Sequence, residues 1–119
     1  MALRRGSLIA QHVRVVESAS WEILELGADL DRALAREPRP SERMRLVREA
    51  TNRITRTAND AIDAYRKGKV AARREKLKHG ADLPAIEEAT ARLAAARLEI
   101  LRLLAIAAER YPERPAPSE

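Results

Sequence analysis

The sequence predicts an all-α fold, an antiparallel bundle of three long helices, and three observations carry that prediction. Apolar or small residues recur at alternating steps of three and four along three separate stretches, the spacing of a buried helical seam. Alanine, leucine, glutamate and arginine dominate a chain that is 34% charged and 45% apolar, a composition of long helices. Proline and glycine gather between the stretches rather than inside them, with Gly27 and Gly68 as exceptions. Three long segments with short connections pack up-down-up.

The first stretch begins after Gly6, with Ser7 as the expected N-cap. Its seam is Ile9, Val13, Val16, Ser20, Ile23, Gly27, Leu30 and Leu34. Ser20 and Gly27 are small, and are expected where a neighbouring helix comes close. Pro38 and Pro40 restrict the residues before them and remove two donors, so the helix ends before Glu37.

Ser41 is the expected cap of the second helix, with Glu42 in its first turn. The seam there is Met44, Val47, Thr51, Ile54, Ala58, Ala61 and Tyr65. Arg66 and Lys67 followed by Gly68 have the form of a helix end. Two readings stay open: a break near Gly68, or a kinked continuation through Val70 and Ala72 towards Leu77. His79-Gly80 closes this part.

The third helix opens at Asp82-Leu83-Pro84 and runs from about Leu83 to Arg110. Its seam is Ile86, Ala89, Leu93, Ala96, Ile100, Leu103 and Ala107. From Ile100 to Ala108 only Arg102 is polar, and a helix apolar nearly all round is buried nearly all round. Residues 1–111 therefore read as one helical domain and 112–119, with three prolines, as an extended tail.

With no Phe, one Trp and two Tyr, the core is thin and rich in alanine. Such seams bury little area per residue, so helix propensity and association are expected to matter. No cysteine is present, which excludes disulfides and thiolate chemistry. No signal peptide and no membrane-spanning run is read, and the chain is expected in the cytoplasm.

The net charge of +5 is unevenly placed. Residues 1–40 carry six basic and six acidic side chains, residues 41–79 twelve and five, residues 80–119 five and seven. The densest run is Arg66 to His79, with Arg66, Lys67, Lys69, Arg73, Arg74, Lys76 and Lys78 against Glu75 alone. Such a run suits phosphate-backbone contact that is electrostatic and independent of sequence. It equally suits a solvated face or an acidic protein partner. Tyr65 is the only aromatic nearby that could stack on a base.

Other chemistry is sparse. The only histidines are His12 and His79, read as a boundary side chain and a helix-end residue. No nucleophile–base pair and no Gly-rich phosphate loop can be assembled. The pairs Glu22-x-x-Glu25 and Asp60-x-x-Asp63 are similar to the Glu-x-x-Glu and Glu-x-x-Asp pairs of all-helical nucleotide pyrophosphohydrolases of the MazG type. That resemblance implies a Mg²⁺-dependent nucleotide hydrolase. Here Asp60 stands where that family has Glu, and Glu25, Asp60 and Asp63 lie outside the seams. Residues 41–68 also resemble the opening helix of archaeal translin-type proteins, through Ile54, Arg56, Ala58, Ala61, Ile62, Ala64 and Gly68. The resemblance implies oligomeric binding of single-stranded nucleic acid, but covers under a third of the chain, and the sequence is assigned to neither family.

Trp21 points well over 100° from the first seam at about 100° per residue. It is read as a contact for a second copy or partner, as a side chain packed under the Pro38–Pro40 turn or another helix, or as a base-stacking group. Trp21, Leu24 and Ala28 on the first helix, with Leu101 and Ala105 on the third, are expected to form a homo-oligomer interface of a dimer or larger assembly.

The sequence thus reads as a small basic nucleic-acid-binding or nucleoprotein-associated module. The alternatives are an oligomeric protein-binding adaptor and the metal-dependent hydrolase. No catalytic residue, metal ligand or cofactor is assigned.

Overall fold

The computed structural model describes residues 8–78 and 83–112, with Leu8 described by its backbone alone. The expected Ser7 cap, the His79-Gly80 end, Asp82 and the tail from 113 onward lie outside the described residues. Three helices make up the rest: α1 (Leu8–Arg36), α2 (Pro40–Lys78) and α3 (Leu83–Arg110).

The turn between α1 and α2 shows why the chain reverses there. The Arg39 guanidinium and its backbone N–H both donate to the Glu37 carboxylate, at 2.8 and 3.0 Å. These bonds hold that carboxyl at about 2, well below its ordinary range. Arg43 Nη1 reaches back to the carbonyl of Leu34 at the end of α1 and to that of Glu37. Helix α2 starts one residue before the expected Ser41 cap. Pro40 is its first residue, and the Arg39 carbonyl accepts from Arg43 N at 2.9 Å. Proline suits that position because its φ is already helical and its missing N–H would have had no partner.

The contacts between helices fix their directions. Residues 34, 22 and 12 of α1 meet 43, 57 and 68 of α2, so these two are antiparallel. Gly68 and Tyr65 of α2 meet Leu93 and Arg97 of α3, again antiparallel. Helices α1 and α3 are parallel: Arg92 donates to Glu17 at 2.6 Å and Arg110 to Asp31 at 3.0 Å. The molecule is 61 Å long, as α2 alone requires at about 1.5 Å per residue.

The core is asymmetric in side-chain size. Helices α1 and α3 supply large buried groups, among them Ile9, Val16, Ile86, Leu93 and Ile100. Helix α2 supplies Ile54 and otherwise small residues: Ala58, Ala61, Ala64, Gly68, Ala71 and Ala72. Branched side chains of the two outer helices thus rest on a nearly flat α2 surface. Thr51, the one buried polar side chain among the described residues, donates to the Val47 carbonyl at 2.9 Å. Of the expected core, Val47 is only half-buried, and Leu30 is buried outside the main cluster.

At Gly68 the continuation is the reading that holds, and the expectation at Gly27 is corrected. Helix α2 runs through Gly68 without a break or a new start. Gly68 is buried because α1 and α3 both press on it: an added Cβ would meet Leu93 Cδ1 at 2.8 Å and His12 Cβ at 3.1 Å. Gly27, expected at a close approach, would have nothing within 4 Å of an added Cβ. Tyr111 lies just beyond the end of α3. It is buried, and its hydroxyl donates to Asp31 and lies 3.4 Å from the Gly27 carbonyl, tying the end of α3 to α1. No helix among the described residues is long and apolar enough to cross a membrane.

Candidate nucleic-acid interface

Because α2 continues to Lys78, the seven cations from Arg66 to Lys78 are distributed around one helix rather than along a loop. At about 100° per residue they fall on two sides. Lys67, Arg74 and Lys78 turn towards α1, and together with Arg66 they line a cavity of about 470 Å³. Val70 and Ala71 form its apolar floor, His12 of α1 closes one wall, and Glu75 is its one acidic member. Lys69 and Lys76 lie on the other side, towards α3, and Arg73 points outward between the two sides.

All seven side chains are exposed. Lys67 pairs with Asp63 at 3.1 Å, one turn earlier, with both side chains more than half exposed. An ion pair so open to water is weak and does not withhold the lysine from another anion. On the α3 side, the Tyr65 ring lies under two cations. Lys69 Nζ is 5.6 Å from its centroid and the Arg97 guanidinium 5.3 Å. The ring also packs against the core. Tyr65 is therefore committed to its own helix pair, and base stacking on it would have to displace these cations.

His12 was not expected near the cations. The signal lay in the pairing of the seams: once the Pro38–Pro40 turn fixes α1 against α2, residue 12 falls opposite residue 68.

The carboxylate pairs are not gathered into one site. Glu22 and Asp60 share a shallow cavity of about 430 Å³ with Arg14 and Thr57, and Thr57 Oγ1 is 3.5 Å from Glu22 Oε1. Glu25 is exposed and outside that cavity, and Asp63 faces Lys67. Among the described residues no group of three or more potential ligands is placed to hold a metal ion.

Trp21 does not pack beneath the α1–α2 turn. It is 71% exposed, with Leu24 at 47% and Ala28 also exposed. On α3, Leu101 is 39% exposed, and Ala105 is exposed as well.

Comparison with protein-family models, with curated proteins and with solved structures gave no match.

Proposed function

We propose that this protein binds the phosphate backbone of nucleic acid through the C-terminal half of α2, with little sequence preference, and does so as a homo-oligomer. The observation that carries the reading is the cavity where Arg66, Lys67, Arg74 and Lys78 converge over an apolar floor. Four cations on one concave surface reinforce one another's field where scattered charges would not. The guanidinium fork of Arg66 and Arg74 suits phosphate oxygens, and the lysines add point charges. No base-reading surface accompanies them, since Tyr65 is engaged by Lys69 and Arg97. The oligomer places two such cavities on one particle, so that one strand can engage both.

The test is the triple variant Arg66→Glu/Arg74→Glu/Lys78→Glu, with binding followed by fluorescence anisotropy of a labelled oligonucleotide. All three side chains are exposed, so the fold survives. Affinity should fall by at least about tenfold at moderate salt. Changing Arg73 and Lys76, outside the cavity, should cost less. Equal loss from both sets would make the charge diffuse rather than local, and no loss from either would remove the reading.

A protein-binding adaptor is the second reading, favoured by the exposure of Trp21, which an interface would cover.

A further inference from the structure

We propose that the cavity beside the α1–α2 turn binds a small monocarboxylic acid with an apolar body, of the kind of a medium-chain fatty acid. It lies at the opposite end of the bundle from the cations of Arg66 to Lys78 and does not rest on their role.

The register of the helices explains why a cavity forms there. Asp31 of α1 pairs with Arg110, the last residue of α3. The antiparallel register that sets Gly68 against Leu93 and Tyr65 against Arg97 brings Arg110 level with Thr51 of α2. Burial stops at that level: Leu30 is the last buried residue of α1 and Thr51 the first of α2. Both helices nevertheless run on, α2 by about 16 Å to Pro40 at about 1.5 Å per residue.

The seams run on with them. Leu34, Met44 and Val47 keep the spacing of three and four but are only half-buried, because α3 no longer covers them. All three line a cavity of about 710 Å³, which Tyr111 and Pro112 border on the side of α3. Small-molecule sites occupy about 300–1,000 Å³ and have mainly apolar walls with a few polar groups. This cavity has that size and that lining.

Its charged groups define the class of ligand. Three of them line it: Asp31, Arg43 and Arg110. Asp31 and Arg110 balance each other at 3.0 Å, and the Tyr111 hydroxyl donates to Asp31 as well. Arg43 is left as the net charge, since the neighbouring Glu37 carboxylate is held by Arg39. Its bonds to described residues are made by Nη1, which donates to the backbone carbonyls of Leu34 and Glu37. The Nε and Nη2 edge remains for a carboxylate, which a guanidinium meets with two parallel bonds. One positive charge matches a monoanion, whereas a phosphomonoester, with a charge close to −2, would be left unbalanced. The carboxylate therefore sits at the turn and the apolar body lies along Leu34, Met44 and Val47.

Octanoate is the probe, followed by the Met44 methyl resonance, one of only two from methionine. That resonance should shift, with a dissociation constant on the order of 1 mM. From butyrate to octanoate each added methylene should tighten binding by about two- to fourfold. Arg43→Gln should weaken octanoate by at least about fivefold, and 1-octanol should bind the parent more weakly by a similar factor. The octanol comparison needs no variant, so it stands even where loss of the Arg43 bonds loosens the turn. The Arg66→Glu/Arg74→Glu/Lys78→Glu variant should bind octanoate like the parent. Equal binding of octanol and octanoate would overturn recognition of the carboxylate. Loss of octanoate binding in the triple variant would place the acid on the cation cavity instead and overturn this site. An unmoved Met44 methyl at about 10 mM octanoate would overturn it in favour of a cavity filled by protein, whether of this chain or of a partner.

Discussion

Gly68 and Leu93 meet at a tight crossing of α2 and α3: a Cβ added to Gly68 would lie 2.8 Å from Leu93 Cδ1 and 3.2 Å from Cδ2. Leu93 is fully buried, and His12 Cβ at 3.1 Å closes the other side, so neither neighbour can easily yield. Gly68→Ala gains about 1 kcal/mol of helix propensity but is expected to lose about 1–3 kcal/mol to overpacking. The net outcome is a loss, read as a lower midpoint in urea. Combining it with Leu93→Ala should cost less than the two single changes together, by roughly 1 kcal/mol.

Gly27→Ala should behave in the opposite sense. An added Cβ there meets nothing within 4 Å. The helix-propensity gain of about 0.5–1 kcal/mol is then unopposed, and thermal unfolding should shift up. A destabilised variant would mean that α1 and α3 sit closer at Gly27 than described.

These two glycines show where the sequence was legible and where it was not. The seams gave the three helices, their order and most of the buried residues, because a period of three and four depends only on the residues within one helix. Whether a glycine ends a helix, or sits beneath the Leu93 side chain of another, depends on what lies across from it. Gly68 follows Arg66 and Lys67, and locally that has the form of a C-terminus. Only the pairing of α2 with α3 shows that Gly68 is overlaid. The basic run was equally plain in sequence, but its division into a cavity side with Arg74 and Lys78 and an α3 side with Lys69 and Lys76 required an unbroken α2. The outward face of α3 was visible in part, through Leu101 and Ala105, and the 62% exposure of Leu98 extends it.

Ile100 tests the core. It is fully buried among side chains of the main cluster. Ile100→Ala should cost about 2–5 kcal/mol, since α2 offers mostly small side chains to fill the space. Chemical denaturation gives the value, and a loss below about 0.5 kcal/mol would mean that the seam does not carry the core.

Tyr111 gives the bundle an alkaline dependence. Burial, then its hydrogen bond to Asp31, pushes the phenol up to about 12 from its ordinary value of 10.0. A folded-state pKa above the unfolded one means that the contribution is complete below pH 10 and is lost as pH rises towards 12. The stability difference between the parent and Tyr111→Phe, measured near pH 9 and near pH 12, should therefore shift against the parent on going up. An unchanged difference would show that Tyr111 ionises alike in both states.

The most direct measurement of the central claim is the salt dependence of oligonucleotide binding by the parent. If Arg66, Lys67, Arg74 and Lys78 each neutralise one phosphate, the plot of log affinity against log salt has a slope near −3 for a single strand. The slope should fall by about 0.7 for each cavity cation replaced by glutamine, and oligonucleotides of different sequence should give the same line. A parent that binds nothing below ~100 µM at low salt, or binds with a slope near zero, would contradict phosphate recognition by this surface.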